Sequence, residues 1–166
     1  DGDKGTFLKL CSYMVKDIES CRKMEMDTGK GILLTGPVGC GKTSMMRLVR
    51  HLVPHKRNYE IIPSRNITFA FNHIGYKIIE DYGNGRFYCF DDLGVEPMGR
   101  YFGDDCNVMG EVLVSRHELF QRTKIPTHIT TNLNAEELEE RYGKRVRSRM
   151  RQMFNLISFD KDTKDK

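Results

Sequence analysis

The segment Gly36-Pro37-Val38-Gly39-Cys40-Gly41-Lys42-Thr43 constrains this chain more than any other. It satisfies G-x-x-x-x-G-K-[ST] at every fixed position. The apolar run Ile32-Leu33-Leu34-Thr35 precedes it and suits a buried parallel strand. A stretch from Lys42 to about Leu52 follows and reads as a helix. Each residue type has a physical reason. Glycines leave room for backbone N–H groups to converge on phosphate oxygens. A helix beginning near Lys42 turns its positive dipole end toward the anion. Lys42 is expected to reach β- and γ-phosphates, and the Thr43 hydroxyl to ligate Mg²⁺, with Ser44 closing the phosphate-binding stretch. Cys40 occupies a variable position and is expected to be a small filler, not a nucleophile.

The rest of the chain alternates strands and helices, which implies a parallel sheet covered on both faces. Thr6 to Cys21 carries Phe7, Leu10, Cys11, Met14, Val15, Ile18 and Cys21 at helical spacing and predicts one amphipathic helix. Further strands are expected over Tyr59–Ile62, Arg86–Phe90, Thr127–Thr131 and Phe154–Phe159. Further helices are expected over Ile67–Tyr82, Val108–Phe120 and Ala135–Tyr142, the last capped by Asn134. Residues 91–107 read as a long polar loop, and loops of that length are usually functional. The tail DKDTKDK, 160–166, is expected to fray.

Composition narrows the class. The chain has 166 residues, enough for one domain that buries about 70% of its unfolded surface. A 39% apolar fraction with 10% aromatics excludes wholesale disorder. No apolar run approaches the roughly 18 residues of a membrane span, and no signal peptide is visible at the start. The chain does not open with methionine, so a preceding segment is expected to lie outside it. Five cysteines without C-x-x-C spacing argue against a disulfide framework or zinc ribbon and for a reducing cytoplasm. A net charge of +4 permits nucleic-acid binding without arguing for it.

Three further features bear on chemistry. Phe87-Tyr88-Cys89-Phe90 delivers Asp91-Asp92 to the sheet edge that also holds the phosphate loop. Asp91 is expected to hold Mg²⁺, mainly through water, and Asp92 to orient and deprotonate an attacking water. Asn132 ends a polar strand; it reads either as a γ-phosphate or water contact or as a turn residue. The stretch from Arg141 to Arg151, with Lys144, Arg145, Arg147 and Arg149 between, reads either as a solvated phosphate-binding face or as the source of an arginine finger.

Taken in order, GKGILLTGPVGCGKT, FYCFDDLG, THITTNL and RYGKRVRSRM resemble the AAA+ ATPases of the DnaC/DnaI helicase-loader group. Transposition helper ATPases of the IstB type are similar. The resemblance spans roughly residues 28–159. It implies a P-loop NTPase sheet of five parallel strands in the order 5-1-4-3-2, with no C-terminal lid. The implied organisation is an amino-terminal helix over 1–27 packed on an ATPase core over 28–159. Gly36 to Thr43 would be the Walker A loop and Asp91 with Asp92 Walker B. Asn132 would be sensor 1, and Arg149 the finger reaching the ATP of an adjacent subunit. The role of Arg116, a recurrent arginine of the group, stays open. The resemblance also implies ATP with Mg²⁺, adenine over guanine, homo-oligomeric assembly, and single-stranded DNA with a replicative helicase or a transposase as partners. The alternatives are a transposition helper, a P-loop kinase for a small molecule or nucleotide, and a nonhydrolytic ATP-binding scaffold. The Asp-Asp pair and Asn132 speak against the kinase. Intact Lys42, Thr43, Asp91 and Asp92 speak against the scaffold.

Overall fold

The computed structural model describes residues 2–54 and 58–159, with side chains from residue 4 onward; the tail expected to fray lies outside them. Five parallel strands form the main sheet: β1 (Gly31–Thr35), β2 (Glu60–Pro63), β3 (Tyr88–Leu93), β6 (His128–Thr131) and β7 (Phe154–Ser158). A hairpin of β4 (Gly99–Tyr101) and β5 (Asp104–Cys106) stands apart from it. The spatial order is β2-β3-β6-β1-β7. Numbering only the parallel strands, this is the expected 5-1-4-3-2. The order places the ends of β1, β3 and β6 side by side, so a loop after any one of them reaches the others.

Alternation along β1 shows why helices cover both faces. Ile32 and Leu34 point to one side with α1 (Gly2–Met14), α2 (Ile18–Lys23) and α3 (Lys42–Val49), through Leu10, Tyr13, Cys21 and Met46. Leu33 points to the other, where Phe71, Val112, Leu113, Leu138 and Met150 meet Phe90 and Ile129. Those partners come from α4 (Ser64–Ile74), α6 (Val108–Thr123) and α7 (Ala135–Met153); α5 (Lys77–Tyr82) adds Ile78.

Four expectations need correction. The helix over Thr6–Cys21 is two helices. Lys16 adopts φ 58, and Asp17 accepts the Ser20 N–H to cap α2, so the apolar stripe turns a corner and leaves Val15 and Ile18 exposed. The helix over Ile67–Tyr82 is broken at Gly75, whose φ of 80 ends α4 before α5 begins, and Ile74 is exposed. The polar loop over 91–107 is largely structured: β3 runs on to Leu93, and β4 and β5 fill the middle. The short helix over Ala135–Tyr142 extends to Met153, so the basic stretch is helical, with a change of direction at Gly143 (φ 85, ψ 159). Asn134 does cap it, with Glu137 completing a capping box. In the first two cases apolar spacing continued across a turn that backbone conformation imposes.

Candidate nucleotide site at the sheet edge

β1 ends at Thr35, and the chain turns through Gly39 (φ 77) and Gly41 (φ 92) into α3. Gly36 sits where a Cβ would lie 2.8 Å from the Cβ of Phe159 and 3.1 Å from the Sγ of Cys40. That crowding requires glycine at the start of the loop. Pro37 is half-buried, Val38 exposed at the crest, Cys40 buried beneath it, and Ser44 exposed on the first turn of α3. Lys42 is only 5% exposed. Its ammonium donates to the carbonyls of Gly36 (2.9 Å) and Pro37 (2.7 Å), so the loop closes on its own lysine and holds a positive charge inside the turn. An anion entering the loop meets both this ammonium and the N-terminus of α3.

The acidic pair faces the loop. Asp91 is buried, and its Oδ1 accepts from the hydroxyls of Thr43 (2.8 Å) and Thr130 (2.7 Å). A carboxylate and a hydroxyl this close are hard oxygen donors of the kind Mg²⁺ takes, so Thr43 and Asp91 fit the ion. The backbone of Asp92 departs from regular strand geometry. The pairing of β3 with β6 shifts register between Phe90 and Leu93, and Asp92 takes φ 53 there. Such a bulge re-aims one side chain while the strand continues. The Asp92 amide donates to the Thr130 hydroxyl at 2.9 Å, which holds the bulge in place. Burial first, and the neighbouring Asp91 charge second, push the Asp92 carboxyl above its ordinary range, with Lys42 opposing. A half-buried carboxylate so raised is a better proton acceptor than a solvated one.

Thr130 is the residue that sequence reasoning missed. It is fully buried and touches both acids, yet only Asn132 was singled out on its strand. The available signal was a run of hydroxyl side chains, Thr127, Thr130 and Thr131, in a strand expected to be buried. Asn132 itself is half-buried and lines a cavity of about 360 Å³ with Gly36, Pro37, Leu138, Arg147 and Phe159. Arg147 is 7% exposed, and its Nε has no hydrogen-bond partner among the described residues. Arg149 stands on the C-terminal half of α7, half-buried, also with an unpartnered Nε.

Arg116 answers the question left open for it. It is fully buried and donates to the Thr127 hydroxyl and to the carbonyls of Asn84 and Arg86. It therefore ties the starts of β3 and β6 together, far from the phosphate loop. Burial lowers its pKa to about 10, which still leaves it charged at neutral pH.

The hairpin presents a different surface. Its backbone is fixed to α4 by the Arg100 amide, which donates to Asn72 Oδ1 at 2.7 Å, and by Tyr101 against Phe71. At the tip Phe102 is 90% exposed, edge-on to Tyr101, with exposed Arg100 adjacent. On α4, Arg65 lies over the ring of Phe69. Among the described residues no helix is long and apolar enough to cross a membrane.

No protein family and no curated protein matches the chain by sequence. Its fold does match solved structures. The DnaC helicase loader is 21% identical with a TM-score of 0.62, over 80% of this chain and 79% of that one. DnaI is 21% identical with a TM-score of 0.61, over 88% and 84%. The replication initiator DnaA bound to AMPPCP and single-stranded DNA is 16% identical with a TM-score of 0.53, over 82% of this chain and 42% of that one. At such identities the likeness is one of fold: the chain has the architecture of these AAA+ P-loop domains.

Proposed function

We propose that this chain binds and hydrolyses ATP as an AAA+ module of the helicase-loader kind, acting in the cytoplasm on single-stranded DNA or on a replicative helicase. The observation that carries the reading is the junction of three strand ends. Thr43, Asp91 and Thr130 form one hydrogen-bonded set, and Asp92 sits on the bulge beside it, its carboxyl under the influence of both Asp91 and Lys42, where we read it as the base.

In this reading the loop amides and Lys42 cradle the β- and γ-phosphates, and Asn132 contacts the γ-phosphate or the attacking water. Thr43 and Asp91 hold Mg²⁺, which neutralises charge on the phosphate oxygens when bound. Asp92 accepts the proton as the water oxygen bonds to the γ-phosphorus; the bond from that phosphorus to the β–γ bridging oxygen breaks, and ADP leaves. Arg149 stabilises the developing charge from an adjacent subunit, so the active protein is a homo-oligomer. Phe102 offers an exposed stacking surface for a base, which supports single-stranded DNA as a ligand. The five cysteines are all free, four of them buried, which fits a reducing compartment. A transposase in place of the helicase is the second reading, and co-purification of either client separates the two.

The test is ATP hydrolysis per subunit across a protein-concentration series with saturating single-stranded DNA. The rate should climb with concentration. Arg149→Ala should keep ATP binding and lose on the order of 10³–10⁵ in rate, whereas Lys42→Ala should weaken binding as well. A rate independent of concentration, or normal hydrolysis by Arg149→Ala, would remove the trans-acting finger.

A further inference from the structure

Glu96 is an acid only 2% exposed, and buried carboxylates are expensive unless their partners are well placed. Its partners come from two directions. One carboxylate oxygen accepts the Gly94 amide at 2.7 Å, just past Asp92. The other accepts the Tyr142 hydroxyl and pairs with Arg141 Nε at 3.5 Å. Arg141 also donates to the Glu96 carbonyl. At the far end of the same segment, Asn107 Nδ2 donates to the Arg141 carbonyl at 2.9 Å, while its Oδ1 caps α6. Both ends of the segment that carries the hairpin therefore grip one point of α7, Arg141–Tyr142. The next residue is Gly143, where α7 changes direction before it carries Arg149. An apolar contact would have filled this space equally well. What the charged, directional contacts add is an angle.

Building on the ATPase reading above, we propose that Glu96 is a positioning residue: through Arg141 and Tyr142 it sets the direction in which the C-terminal half of α7 presents Arg149, and ties that direction to the strand end bearing Asp92. Glu96, Arg141 and Tyr142 lie outside the glycine-rich loop and the Thr43–Asp91–Thr130 set, so ATP affinity should be independent of them. Loss of the contact leaves the subunit with an intact base and a misdirected finger.

The experiment uses the full chain carrying Glu96→Gln, with Tyr142→Phe as the milder variant that removes one hydroxyl. Both should bind ATP within about twofold of wild type and hydrolyse it at least roughly tenfold more slowly, since small misplacements of a charge-stabilising group are costly. Mixing Glu96→Gln with Asp92→Asn subunits separates positioning from general damage. The second variant supplies a sound finger to the sound base of the first, and hydrolysis should recover above either alone. Amide exchange across 144–153 should also speed up in both positioning variants. A mixture no faster than its components overturns the proposal, as does a normal rate in Tyr142→Phe. If wild type hydrolyses nothing, the ATPase reading fails by itself. The exchange then still decides the grip: unchanged protection across 144–153 overturns it.

Discussion

His128 should make the fold acid-sensitive in a way that one substitution can isolate. It lies on β6 between the rings of Tyr59 and Tyr13, with centroids 4.8 and 5.8 Å away. Its Nδ1 accepts the Ile32 amide of β1 at 3.1 Å, so the imidazole is neutral and carries its proton on Nε2. Burial, and then the positive charges of Lys16 and Arg116, lower its pKa from 6.5 to about 3. The sign follows from linkage. The unfolded chain binds a proton as pH falls through about 6.5, and the native chain does not until about 3, so stability present above 6.5 is lost on acidification. The slope approaches about 1.4 kcal/mol per pH unit, or roughly 2 kcal/mol between neutral pH and pH 5. His128→Asn places an Oδ1 close to where Nδ1 stands and does not titrate. It loses the ring contacts, but that cost is the same at every pH. Urea unfolding of both proteins from pH 7.5 to 5 should show the wild-type advantage shrinking by about 2 kcal/mol, while carboxylate titrations common to both cancel. Two parallel stability curves would refute the neutral, buried imidazole.

Three other substitutions test the architecture. Thr130→Val removes a hydroxyl that serves both acids; it should cost roughly 2–3 kcal/mol in urea melts and slow hydrolysis at least about tenfold, and an unaffected rate would separate Thr130 from the site. Gly31→Ala places a Cβ 1.6 Å from the Thr127 carbonyl oxygen and should destabilise by about 3 kcal/mol or more, whereas Gly85→Ala, whose nearest atom is 3.6 Å away, should be close to neutral. Phe102→Ala should leave the melting temperature nearly unchanged, because the ring is 90% exposed, yet weaken single-stranded DNA by about 1–3 kcal/mol in fluorescence anisotropy. Equal DNA affinity would take the hairpin tip out of the binding surface.

Legibility in the sequence followed the range of the interaction. The phosphate loop could be read directly because its requirements are local. Glycines at Gly39 and Gly41, a lysine at the helix start and an apolar strand before them are neighbours in the chain, and each is demanded by the backbone next to it. The strand leading to Asp91 was legible up to Phe90, because its apolar run Tyr88–Phe90 is buried; its continuation to Leu93 through two acids was not. Helix breaks were less legible. The apolar spacing of Thr6–Cys21 and Ile67–Tyr82 continues past Lys16 and Gly75, and a side-chain pattern does not report the sign of φ.

The contacts that sequence left hidden join distant residues. Thr130 joins Asp91 and Asp92 across strands that pair only when the sheet closes. Glu96 meets Tyr142 across a sequence separation of 46, and nothing local to either residue announces the other. Arg116, whose role the sequence left open, ties two strand starts together. Residues close together in the chain were enough to establish a glycine-rich strand–loop–helix on a parallel sheet, because those constraints act within a few residues. Which polar groups hold the acids in place, and which direction α7 takes beyond Gly143, depends on side chains brought together only by packing the two layers of helices onto the sheet.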